Sequence, residues 1–109
     1  MKGKIVLIQF PFTDLSATKL RPALVIHESD EDVVVAFISS RVPQQGSGSE
    51  LVITGDHPDF LGTGLKVPSV IRFDKVATLS RDLIEGEIGE IPPTLAKECN
   101  SVMQQIFHF

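Results

Sequence analysis

The stretch VVVAFISS, Val33 to Ser40, is apolar at nearly every position. As a strand it puts Val33, Val35 and Phe37 on one face and Val34, Ala36 and Ile38 on the other, because successive side chains alternate. Both faces require burial. A small barrel has one interior, so the second face needs a packed helix or another subunit. Any fold for this chain must cover this strand from two sides.

The remaining elements follow from turn signals and apolar spacing. KIVLIQF (Lys4–Phe10), bounded by Gly3 and Pro11, reads as a first strand. RPALVIHE (Arg21–Glu28) reads as a second, joined to the third by the acidic turn SDED. Pro22 suits a strand start, where its missing N–H costs least. ELVIT is a short fourth strand. KVPSVIRF (Lys66–Phe73) and KVATLS (Lys75–Ser80) read as two more around Asp74, with Pro68 at an edge or starting the strand after it. Gly62-Thr63-Gly64 reads as a turn, and RDLIEGEIGEI as a turn plus a short strand. PPTLAKECNSVMQQIF is the one convincing helix, opened by proline. Leu95, Cys99, Val102, Met103 and Ile106 form its apolar stripe. The expected class is mainly β: a small, strongly bent sheet or barrel of five to seven strands with a C-terminal α-helix, in a single domain over residues 1–109.

Composition narrows the function. The chain has 109 residues and a net charge of −4. Up to Arg41 five acids meet five bases; from Glu50 onward nine acids meet five bases. An anion-binding surface is therefore expected on the N-terminal part. The lone cysteine, Cys99, excludes an internal disulfide and a cysteine-rich zinc site. It fits a reducing compartment, so a cytoplasmic location is expected. The apolar runs fall short of the roughly 20 residues a membrane helix needs. MKGKIVLIQF has the lysines of a signal peptide but lacks a small-residue cleavage site. The histidines, His27, His57 and His108, have no metal-ligand spacing, so no metal and no cofactor are expected.

The segment TDLSATKLRPALVIH, Thr13 to His27, carries the most suggestive chemistry. A ten-residue polar loop runs into Arg21 at the threshold of a strand, and long loops often carry function. Arg21 has a plain role open to it, a surface charge paired with Asp14 or Glu28. Ser39 has one too, a hydroxyl bonding backbone near a strand end. If the second and third strands pair antiparallel across SDED, Arg21 comes near Ser39, Ser40 and Arg41. Two guanidinium groups and two hydroxyls then gather at one rim, which suits a phosphate.

These residues resemble a known family. GKIVLIQFPFTDLSATKLRPALVI, then VVVAFISSR, then VPSVIRFDKVATLSRDLI are similar to the MazF/PemK toxins of toxin–antitoxin pairs, over nearly the whole chain. The resemblance implies an SH3-like β-barrel, usually homodimeric. It implies a metal-independent endoribonuclease that cuts single-stranded RNA, an antitoxin that blocks the site, and DNA binding by their complex. The family's arginine falls on Arg21 and its hydroxyl residue, often threonine, on Ser39. Lys4 stands where the family usually has an acid.

RNA brings its own nucleophile, the 2′-OH. Arg21 would then donate to the non-bridging phosphate oxygens and Ser39 would orient the 2′-OH or phosphate. The products would be a 2′,3′-cyclic phosphate and a 5′-OH end. Arginine is a poor general base; a water or His27 is open to that role. Gln9, Phe12, Thr13, Lys19, Ser40 and Arg41 are candidates to grip flanking nucleotides. Phe12 could stack on a base or bury in the core. Two other functions stay open: a decayed barrel that only binds antitoxin or nucleic acid, and a gyrase-poisoning toxin of the same fold.

Overall fold

The structure, a computed structural model, describes residues 1–11 and 18–109. Among them six strands form one sheet: β1 (Lys4–Pro11), β2 (Thr18–Glu28), β3 (Asp32–Ser39), β4 (Glu50–Ile53), β5 (Ser69–Ser80) and β6 (Ile84–Glu90). One helix, α1 (Pro93–Ile106), ends the chain. The strand order is β4-β5-β3-β2-β1-β6, antiparallel throughout. The mainly β class with a C-terminal helix therefore holds. The barrel does not close: β4 and β6 are the two edges of the sheet among the described residues.

Two elements differ from expectation. β2 starts at Thr18, so Pro22 lies inside a strand rather than at its start. Pairing explains the tolerance. From Thr18 to Pro22 the β2 register is with β1 alone, and its β3 ladder begins at Ala23, so proline interrupts no β3 rung. The two strands expected around Asp74 are one, β5. β3 steps from Ala36 opposite Val76 to Phe37 opposite Arg72, so residues 73–75 form a bulge instead of a break. Asp74 in that bulge takes both ends of the Arg72 guanidinium, at 3.0 and 2.9 Å. The expected turn plus short strand over RDLIEGEIGEI is the 3₁₀ turn Arg81–Leu83 followed by β6, which is seven residues long and pairs with β1 along most of its length.

Both faces of β3 are buried within one chain. On one face Ile5, Leu24, Ala36, Ile38, Ile71 and Phe73 pack under Leu95 and Cys99 of α1. The expected helical stripe is thus the one that docks, with Val102, Met103 and Ile106 at its margin. On the other face Val6, Ile8, Ala23, Val25, Val33 and Val35 are at most 1% exposed. Curvature covers this second face. In a flat sheet β5 and β6 would lie four strand spacings apart, about 19 Å. Only the 3₁₀ turn Arg81–Leu83 joins them, and four residue steps reach at most about 14 Å. The sheet must therefore curl, bringing Leu79 and Ile84 against this cluster. No second subunit is needed to bury β3.

An ionic clamp fastens the curl. Arg81 donates to the Glu28 carboxylate and, through Nε, to the Ser29 carbonyl at 3.2 Å. Its backbone N–H donates to the Glu31 carbonyl at 3.0 Å. The Met1 α-amine donates to the second Glu28 oxygen at 2.8 Å. Glu28 is thus engaged by these groups, not by Arg21. A second fastening holds the segment before β5. Gly64 ends the 3₁₀ turn Leu61–Thr63 at φ 74°. A Cβ there would run into the Ile88 carbonyl, and one at Gly89 into the Thr63 carbonyl. The turn and β6 touch backbone to backbone, as only glycine permits.

Two outcomes follow for stability. The Met1 amine first, then Arg81, hold the Glu28 carboxyl below its ordinary range. Its contribution is present above the unfolded-state pKa and is lost as pH falls through the folded value. Urea midpoints measured from roughly pH 5 down to pH 3 should fall less steeply for Glu28→Gln than for the parent chain. Gly64→Ala should cost about 2–3 kcal/mol, from its left-handed backbone and the clash with β6, read as a lower urea midpoint.

Candidate functional site

A bulge decides which hydroxyl meets Arg21. Leaving the acidic turn, β2 and β3 pair Glu28 with Val33 and His27 with Val34. Continued unchanged, that register would set Arg21 level with Ser40. The register slips by one residue at Ile26, and from there Val25 pairs with Val35 and Ala23 with Phe37. Carried two residues past that last rung, where the ladder has ended, this register would bring Arg21 level with Ser39. Both step by two from a matched pair, so both belong to the face that carries Ala23, Val25 and Val35. Bulges beside sites commonly re-aim a side chain in this way.

The local surroundings suit this placement. Arg21 is half-buried and lies opposite the buried Ile8 of β1. Ser39 closes β3, half-buried, and pairs with Val70. Its Oγ accepts the Arg41 backbone N–H at 3.0 Å. The plain strand-end role is therefore real. It also uses one acceptor position of the hydroxyl and leaves its proton to be donated. Lys19 shares the Arg21 face by alternation, whereas Gln9, opposite Leu20, takes the other. Ser40 and Arg41 follow Ser39 and are exposed. Phe12, Thr13 and Asp14, and most of the polar loop, lie outside the described residues.

Beside Arg21 a groove of about 300 Å³ opens where β2 has left β3. Lys19, Arg21, Ser40 and Lys66 line it, with Leu20 and Val67. Ser39 does not line it: by alternation Leu20, Ile38 and Ser40 lie on the face opposite that of Arg21 and Ser39, so the candidate site has two parts on either side of the β2 edge. Among the described residues no acid lines the groove, in a chain with 14 acids. Elsewhere carboxylates hold three of the cations. Arg72 is bound by Asp74 and Glu50, Lys4 by Glu87 and Glu90, and Arg81 by Glu28. Arg72 keeps the Asp74 carboxyl below its ordinary range, chiefly through their hydrogen bonds. Lys19 and Lys66 have no such partner among the described residues. Among the described residues the charged side chains of the groove are therefore all basic, in an acidic protein.

Sequence reasoning missed Lys66. It was assigned to a strand, but it precedes β5 in the segment that Gly64 pins to β6. A single lysine between two apolar residues carries no signal until that segment folds over the end of β2.

Other candidates fall away from this place. His27 lies six residues along β2 from Arg21, roughly 20 Å, which removes it as a base for chemistry there. His57 joins the segment before β5 to α1: Nδ1 accepts the Asp59 N–H and Nε2 meets Glu98, each at 3.0 Å. Burial, with Glu98 nearby, pushes the Cys99 thiol up to about 12, so it is no nucleophile. Among the described residues no group of three His, Cys, Asp or Glu side chains could hold a metal, and no helix is long and apolar enough to cross a membrane. A larger cavity, about 740 Å³, lies between α1 and β2 and lacks the charge bias, with Lys2 and Glu90 both on its wall.

Comparison with known proteins places this geometry. The chain resembles a Mycobacterium tuberculosis toxin, MazF-mt6, with TM-score 0.73 and 20% identity over 95% of each chain. It also resembles an endoribonuclease from Mycobacterial species in complex with its cognate antitoxin, with TM-score 0.68 and 15% identity, covering 96% of this chain and 91% of that one. At these identities the likeness is one of fold. No curated protein matches the chain. The family model of the PemK-like, MazF-like toxins of type II toxin–antitoxin systems matches residues 1–107. The chain belongs to that toxin family.

Proposed function

We propose that this chain is a metal-independent endoribonuclease toxin that cuts single-stranded RNA, with Arg21 and Ser39 at its catalytic centre. The observation that carries the reading is the bulge at Ile26, whose register, carried past the end of the ladder, brings Arg21 level with Ser39, beside a groove with no acid in its lining among the described residues. The family and the endoribonuclease of like fold support it.

The chemistry needs few parts. The substrate 2′-OH attacks the adjacent phosphorus, the bond to the 5′ oxygen breaks, and a 2′,3′-cyclic phosphate and a 5′-OH remain. The 2′ proton passes to water, and water supplies the proton that the departing 5′ oxygen takes up. Arg21 donates to the non-bridging oxygens as charge builds on them. Ser39, its oxygen already accepting from Arg41, donates its proton to the same phosphate. One such donor contributes roughly 3 kcal/mol. Lys19, Arg41 and Ser40 hold neighbouring phosphates, and Gln9, Phe12 and Thr13 meet flanking nucleotides. A cognate antitoxin covering the groove is the natural inhibitor; the endoribonuclease of like fold is in complex with its own cognate antitoxin. The chain works in the cytoplasm, as a homodimer.

Purified protein incubated with single-stranded RNA in EDTA should cut it. Arg21→Ala should lower the rate by about 10²- to 10³-fold without shifting the urea midpoint by more than about 0.5 kcal/mol. Ser39→Thr should retain cutting and Ser39→Ala should lose most of it. RNA of varied sequence left intact, or an Arg21→Ala protein as active as the parent, would refute the proposal. RNA bound tightly but left whole would identify a decayed toxin instead.

A further inference from the structure

We infer that the groove beside Arg21 holds one nucleotide of the RNA and selects a keto base, uracil or guanine, with Lys66 making the selection. The inference rests on the ribonuclease reading and adds the base recognised there.

Size limits the occupant. About 300 Å³ is the lower end of the range for ligand pockets, enough for one nucleotide. Surface character supplies the rest. Leu20 and Val67 line the groove although they are 50% and 49% exposed. Large apolar side chains left open beside cations fit a flat ring with a charged tail. The apolar surface takes the face of a base, and Lys19 and Arg21, which line the groove from the β2 edge and leave the strand on its other face, take the phosphate that passes over that edge.

The polar lining decides which base. Cytosine and adenine present amino groups and are read by carboxylates or side-chain amides; keto oxygens are read by lysine and arginine. Among the described residues the lining contains no Asp, Glu, Asn, Gln or His. Lys66 is exposed at the rim, and an ammonium only donates. The nearby Val67 carbonyl accepts the Ser69 hydroxyl at 2.9 Å, which takes up one of its two acceptor positions. Ser40 can donate or accept. The balance favours donors, so a keto oxygen is matched and an amino group is left unpaired.

Uracil and cytosine have nearly the same shape, which makes them the clean comparison. Fluorescence anisotropy with 2′-deoxy pentamers, which lack the nucleophile, separates recognition from cutting. Oligo(dU) should bind the full chain on the order of tenfold tighter than oligo(dC). Lys66→Gln, whose amide donates and accepts, should bring the two within about twofold. Lys66→Glu should reverse the order. Equal binding of the two pentamers by the parent chain, or a preference untouched by Lys66→Gln, would overturn the inference. Sequencing the ends of a cut random RNA pool gives the second arm. Cuts without uracil or guanine enriched beside them would overturn the base selection and leave the ribonuclease reading standing. A pool left uncut, with the Lys66-dependent oligo(dU) preference present, would do the reverse.

Discussion

β3 carries apolar side chains on both faces, and one short chain must bury both. The helix covers one face. The other is covered because a three-residue turn has to reach from β5 to β6, which a flat sheet would not allow. The curl is therefore a covalent requirement before it is an energetic one. The Glu28–Arg81 pair and the Met1 amine then fasten it. With both faces of β3 satisfied, the end of the β2–β3 ladder is left for function. There β2 runs on for five residues with only β1 beside it.

The charges follow a division of labour. Three of the basic groups are tied to carboxylates: Arg72 to Asp74 and Glu50, Lys4 to Glu87 and Glu90, Arg81 to Glu28. Those pairs are spent on shape. Lys19 and Lys66 remain unpaired among the described residues, around a groove with no acid in its lining. A net charge of −4 thus coexists with a groove whose charged side chains among the described residues are all basic, because burial and pairing, not the total, set the sign a ligand meets.

Much of this was readable from residue patterns. The doubly apolar strand, Pro68 before β5, the helical stripe from Leu95 to Ile106 and the turn at Gly64 follow from alternation, spacing and proline or glycine chemistry. Arg21 was singled out because a cation before proline at a strand edge is poorly explained by packing. Other features were hidden for physical reasons. The bulge at Ile26 has no local signature, since Ile suits a regular strand as well; only cross-strand registry reveals it. Whether Ser39 or Ser40 meets Arg21 hangs on that one slip. The bulge at Asp74 reads as a break, because an acid between two strand-like runs looks like a turn until Arg72 claims it. Lys66 joins the groove through a backbone contact between Gly64 and β6 that no sequence window spans.

The central claim is that the chain supplies donors for the phosphate while the substrate supplies the nucleophile. Its direct test is one RNA oligonucleotide containing a mapped cut site, compared with the same oligonucleotide carrying a single 2′-deoxy sugar on the 5′ side of that cut. The account predicts that the all-RNA strand is cleaved in EDTA to a 2′,3′-cyclic phosphate and a 5′-OH, and that the single missing hydroxyl abolishes cleavage at that bond. Cleavage of the deoxy-substituted bond at a comparable rate would mean that water or a protein group attacks the phosphorus, and would contradict it.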